Sequence, residues 1–155
     1  MSDQAPPPPL VLNIQYTKDL SFEVPGAPDI FPQITQPPAV DLRLDVQARP
    51  MEQGPSLYEV SLEIRADAKL GETTCFIAEL TYAGVFSINV PDDQVEPVLL
   101  VECPRLLFPF ARNILAEVTR DGGFPPVFLN PIDFVALWQS RRAQNGIDGA
   151  PQGTA

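Results

Sequence analysis

The side chains available for chemistry are few and mostly acidic. The chain has 155 residues, with 20 Asp and Glu against 10 Lys and Arg, and no histidine. Without histidine there is no Ser–His or Cys–His nucleophile pair and no His-ligated metal. A catalyst would have to work with carboxylates, Lys, Tyr or Cys alone. The two cysteines, Cys75 and Cys103, stand far apart and lack the neighbours that make a metal site, so both read as small apolar residues. No two acids mark an evident pocket, and no base accompanies Cys103. The carboxylates are instead spread at alternating positions, a pattern suited to binding rather than turnover.

The net charge of −10 repels phosphate backbones and anionic lipid, which argues against nucleic acid or membrane partners. It serves solubility, or it complements a basic protein partner. No apolar run reaches the length of a membrane span. Met1 to Pro9 carries Asp3 and no basic cluster, unlike a signal peptide, so a cytoplasmic location is expected.

Elements that could present these acids are legible along the chain. Residues 1–11, with the run Pro6 to Pro9, are expected to be a disordered lead-in. Leu12, Ile14, Tyr16, Leu20, Phe22 and Val24 then occupy even positions with polar residues between them, so even side chains should be buried and odd ones wet, Lys18 excepted. From Val24 to Ala39, repeated prolines forbid helix and central strand, yet Ile30, Phe31 and Ile34 are too apolar for a plain linker. This predicts an ordered crossover loop over apolar surface. Alternation resumes at Val40, Leu42, Leu44 and Val46, and again from Tyr58 to Leu70. Gly71-Glu72 has the length of a hairpin turn into a fourth strand, Thr73 to about Phe86.

Helical signals follow. Asp92 to Arg120 reads as one helix, kinked or restarted at Pro104, disturbed again at Pro109 and ended by Gly122-Gly123. Asn130-Pro131-Ile132-Asp133 reads as N-cap, N1 and N3 of a second helix, which places Phe134, Leu137, Trp138 and Arg141 on one face. Residues 143–155 are expected to be a flexible tail. The result is an α+β domain over residues 12–142, with four antiparallel strands and then two helices.

Two binding surfaces emerge from this arrangement. The odd-numbered sheet face carries Asp19, Glu23 and Glu79 beside the aliphatic Ile77, which is either a docking platform for a basic partner or an ordinary solvated face. Ile30, Phe31, Ile34, Val40, Leu42, Leu44, Phe134, Leu137 and Trp138 are either core or the lining of an apolar groove. The first strand offers an edge that pairs with itself across a two-fold axis to give one eight-stranded sheet per dimer. The excess apolar residues of the long helix suit a further subunit contact.

Several blocks together resemble the SecB family of protein-export chaperones. They are Tyr16-Thr17-Lys18-Asp19-Leu20-Ser21-Phe22-Glu23, Leu70-Gly71-Glu72-Thr73, Gly84-Val85-Phe86-Ser87-Ile88, Cys103-Pro104-Arg105-Leu106-Leu107-Phe108-Pro109-Phe110, and Gly123-Phe124-Pro125-Pro126 with Leu129-Asn130-Pro131-Ile132-Asp133-Phe134. The resemblance implies a homotetramer built as a dimer of dimers, with no catalysis and no cofactor. It implies grooves at the crossover loop and last helix for unfolded precursor proteins. It also implies an acidic face, matched here by Asp19, Glu23, Ile77 and Glu79, that docks the zinc-bearing basic end of SecA. Two departures stand out: there is no aromatic near Thr35 in the crossover loop, and Arg141 and Arg142 are opposed only by Asp148 in the tail. The runner-up readings are a SecB-like chaperone dedicated to one partner, such as an antitoxin, a carboxylate or cysteine enzyme, and a purely structural oligomer.

Overall fold

The computed structural model describes residues 5–149. Strands β1 (Leu10–Glu23), β2 (Ala39–Pro50), β3 (Leu57–Leu70) and β4 (Thr73–Ile88) form one antiparallel sheet in the order β1-β4-β3-β2, so β1 and β2 are its two open edges. The β3–β4 hairpin turns through Gly71 and Glu72, and Gly71 takes the positive φ of +61° that a two-residue hairpin loop demands of its first residue.

Strand β1 begins at Leu10, opposite Ile88, and Pro9 and Pro8 are tied to Asn89 through their carbonyls. The residues just before Leu12 are therefore part of the sheet, although the polyproline run suggested a loose lead-in. The simple alternation expected along β1 is broken twice. Register shifts between Leu12 and Ile14 and between Thr17 and Asp19 each insert one residue. A bulge reverses which parity faces the core. Ile14 and Tyr16 are thereby turned to the outer face with Val85 and Ala83, and Ile14 is 58% exposed. The second bulge returns Leu20 and Phe22 to the inner face, opposite Leu80 and Ala78. Lys18, the one polar residue at an even position, marks that second bulge.

The inner face of the sheet packs under a helical layer. Helix α1 (Asp92–Pro97) opens on two acids, as the helix dipole favours. It widens into a π-helical segment (Val98–Glu102) and continues as α2 (Cys103–Asp121). The α-helix restarts at Cys103-Pro104, as the proline suggested. The π segment lies just ahead of it, where Cys103 N–H donates to Val98, and the proline falls in the first turn of α2, where its missing donor costs nothing. Pro109 sits within α2 on an exposed face.

Gly122-Gly123 ends α2 and also seats the crossover loop. A Cβ at Gly122 would strike the Phe22 ring, and Gly123, at φ +93°, lies against Phe31. Buried Thr119 accepts a hydrogen bond from Val127 N–H and so fixes the descending segment.

Helix α3 spans Phe134–Gly149. Its cap is Asp133, whose carboxylate accepts from Ala136 N–H at 3.0 Å, rather than the expected Asn130. Packing decides this: Leu129 is buried and Ile132 packs against the core, which holds 129–132 extended and delays the helix by one turn. The helix also runs on past Arg142, where a loose tail was expected, because elongating an existing helix through Ala143 and Gln144 needs no new nucleus. The remainder of the expected tail lies outside the described residues.

Candidate functional site

Two surfaces on opposite faces of the sheet carry the functional argument. The first follows the inner side of β2. Val40, Leu42, Leu44 and Val46 alternate inward, opposite Ala68, Ala66, Ile64 and Leu62 of β3. Small Ala66 and Ala68 fill the β3 side and leave the first half of β2 thinly covered. Leu42 is therefore left 44% exposed and Val40 36%, while Leu44 is half-buried and Val46 buried. At roughly 3.4 Å per residue, Val40 to Val46 makes an apolar track about 20 Å long.

The track is flanked at one end by the crossover loop. Phe31 is 37% exposed and leans on Phe124, ring centroids 5.5 Å apart, and Ile34 is half-buried. At its other end the track runs into a cleft of about 480 Å³ between β2, the α1–π segment and α3. Val46, Val95, Leu99, Leu100, Leu137 and Trp138 form its apolar lining.

Of the predicted groove residues, Val40, Leu42 and Leu44 share the inner side of β2, Leu137 and Trp138 line the cleft, Phe31 and Ile34 lie in the crossover loop, and two fall elsewhere. Ile30 and Phe134 are each 2% exposed and belong to the core. The Ile30 side chain tucks back onto Gly26, and Phe134 meets Phe108 edge-on. Composition could not separate Ile30 from its neighbour Phe31, because the 3₁₀ turn at Phe31–Gln33 points one inward and the other out. Val95, Leu99 and Leu100 were missed as lining. Their signal was the nearly unbroken apolar run from Val95 to Cys103, too long for one core-facing stripe.

The second surface is the outer face. Asp19 lies opposite Thr81, Ser21 opposite Glu79, and Glu23 opposite Ile77. The four predicted docking residues are therefore neighbours across the β1–β4 pair. On β3, Glu63, Arg65 and Asp67 continue the same rows. Arg65 binds both Glu79 and Asp67, so Glu79 is not a free charge. Asp19, Glu23 and Glu63 form no ion pair among the described residues. Ile77 is half-buried between these acids.

One carboxylate holds this face in place. Glu59 of β3 is buried, and Tyr16, Lys18 and Arg49 all donate to it. Burial works to raise its pKa, but hydrogen bonds from Tyr16, Lys18 and Arg49 overcome it and hold the acid down at about 2. Tyr16 is pushed up to about 12 by burial and by that same carboxylate. The network spans β1, β3 and β2, and it locks the Lys18 bulge that aims Asp19.

Neither cysteine is poised for reaction. Both are fully buried, and burial, with Glu102 nearby, pushes the Cys103 thiol up to about 12. No cluster of His, Cys, Asp and Glu able to hold a metal occurs among the described residues.

The family model for preprotein translocase subunit SecB matches residues 3–145. The protein-export protein SecB of Granulibacter bethesdensis is 67% identical over 144 residues, covering 88% of this chain and 84% of that protein. The chain belongs to the SecB family of protein-export chaperones. The protein-export protein SecB of Acidiphilium cryptum is 60% identical over 151 residues, covering 88% of this chain and 91% of its own. A SecB-like chaperone of Mycobacterium tuberculosis, solved in complex with a peptide from an antitoxin, shares the fold at TM-score 0.66 and 15% identity, over 79% of this chain and 90% of that one. SecB membership makes the protein an export chaperone. Among the described residues, no helix is long and apolar enough to cross a membrane.

Proposed function

We propose that this SecB-family chaperone holds unfolded precursor proteins on the β2 track in the cytoplasm and passes them to SecA, which docks on the outer face. The observation that carries the reading is the exposure of Val40 and Leu42 on a strand that leads directly into the Leu137–Trp138 cleft. Apolar contact of this kind contributes about 25 cal/mol per Å² without regard to sequence, and ordering the client offsets much of it. Each site is therefore weak and permissive, and several sites on one assembly add through avidity. A folded client buries its apolar segments and leaves.

Two further features support the rest of the reading. The open edge of β1, fourteen residues long, suits pairing with a second copy. Exposed Leu20 on β1 and Phe110 on α2 leave apolar surface for joining such pairs into a dimer of dimers. Asp19, Glu23 and Glu63 offer uncompensated charge for a basic domain, with Ile77 as a small dehydrated anchor, and such charge steers and orients more than it binds.

Suppression of light scattering by a denatured protein tests the first half. Leu42→Asp should lose most of the protection while keeping wild-type circular dichroism. Asp19→Lys with Glu23→Lys should weaken SecA binding at modest salt and leave protection intact. Full protection by Leu42→Asp would remove the track from the mechanism. Equal SecA affinity would remove the platform. The Mycobacterium tuberculosis relative carries an antitoxin peptide, so the scattering assay should use several unrelated clients; protection of only one would favour a dedicated chaperone.

A further inference from the structure

Two cations and three acids share a shallow depression of about 380 Å³ on the outer face of the sheet. The cations are Lys18 and Arg49, and the acids are Asp19, Glu59 and Glu63. Asp19 and Glu63 belong to one row across the sheet, each opposite Thr81 of β4. Lys18 is the chain neighbour of Asp19, and the bulge brings both into the same depression. Proximity in sequence would pair these two. The structure pairs them otherwise. Lys18 Nζ donates to the two carboxylate oxygens of Glu59 at 2.9 and 3.1 Å, and Arg49 Nε donates to the same group at 2.9 Å.

Burial decides this distribution. Glu59 is 5% exposed, whereas Asp19 and Glu63 are exposed. A carboxylate withdrawn from water must be paired, and leaving it alone is costly. A hydrated carboxylate loses little by standing alone, because an ion pair between exposed groups contributes little. Both cations therefore go to the buried acid. With its carboxyl held down at about 2, Glu59 keeps its charge throughout the neutral range. Elsewhere on the face the cations are likewise engaged: Arg65 by Asp67 and Glu79, and Arg141, reaching over from α3, by Asp45.

We infer that Glu59 is a positioning residue for the docking platform: by holding Lys18 and Arg49 it leaves Asp19 and Glu63 uncompensated for a basic partner. This rests on the reading of the outer face as the dock for SecA and adds what sets the charge of that dock. Glu59 acts through the other two acids rather than by contact with the partner. When its charge is removed, Lys18 and Arg49 turn to Asp19 and Glu63. The partner must then break those pairs before it forms its own, and the platform loses the potential that steers it.

The test is SecA binding to the full chain, with suppression of light scattering as the check that each variant is folded. Glu59→Gln should bind SecA roughly fivefold more weakly at about 50 mM salt, and the gap should close at about 0.3 M. Glu59→Asp, which keeps the charge with a shorter reach, should fall between Glu59→Gln and wild type. Glu52→Gln makes the same change in net charge at an exposed position in the β2–β3 turn, and should stay within about twofold of wild type. Adding Lys18→Gln and Arg49→Gln to Glu59→Gln should restore binding, since neutral amides can keep the hydrogen bonds and no cation remains to quench Asp19. Wild-type affinity in Glu59→Gln, a gap undiminished by salt, or an equal loss in Glu52→Gln overturns the inference. So does a triple variant that binds no better than Glu59→Gln, which would leave Glu59 a structural role only. If Asp19→Lys with Glu23→Lys binds SecA as well as wild type, the platform reading itself fails, which separates the two failures.

Discussion

Replacing Glu59 with glutamine removes the charge that three donors share while preserving the shape of the side chain. The native carboxyl is held at about 2 against an ordinary 4.5. That difference corresponds to a ceiling of about 3 kcal/mol of folding stability at neutral pH. Lys18 and Arg49 keep 46% and 60% exposure, so solvent screens their share, and the expected loss in Glu59→Gln is about 1–2 kcal/mol. The sign follows from the depressed pKa. The contribution is fully present above about pH 4.5 and fades as pH falls toward 2, whereas Glu59→Gln never has it. Urea unfolding of both proteins at pH 7, 5 and 3, at fixed protomer concentration, should give a gap that is wide at pH 7 and 5 and less than half as wide at pH 3. A gap of constant width across that range, or none at pH 7, would refute the assignment of the charge to this network.

Two further outcomes follow from the packing. Gly122→Ala should lose about 1–3 kcal/mol, read by urea unfolding, because the new methyl strikes the Phe22 ring; Gly122 sits at φ −78°, so backbone strain plays no part. Stability equal to wild type would mean that the loop and helix seat is looser than described. Cys103, pushed up to about 12 and buried, should resist iodoacetamide at pH 8 in the native protein and react on unfolding in urea. Rapid native labelling, read by mass spectrometry, would contradict that burial.

Period-two alternation was enough to assign β2, β3 and β4, because the apolar side chains of each strand recur on one face and a slip of one residue would turn the whole row to the other. Gly71 announced its turn because a two-residue hairpin loop needs a positive φ there. The acids Asp19, Glu23 and Glu79 were placed on one face by parity alone, and their positions around Ile77 agree with that. The absence of histidine narrowed the chemistry before any geometry was known.

The tertiary structure decided what local pattern could not. The bulges in β1 are visible only against the strand they pair with, and they moved Ile14 and Tyr16 to the face opposite the one their parity suggested. The cap of α3 moved from Asn130 to Asp133 because Leu129 and Ile132 are held by the core. Ile30 and Phe31, adjacent and equally apolar, separated into core and surface according to which way one short turn faces. Burial depends on what lies across from a residue, and residues far apart in the chain, such as Arg141 and Val46, come into contact only when the whole sheet is laid down.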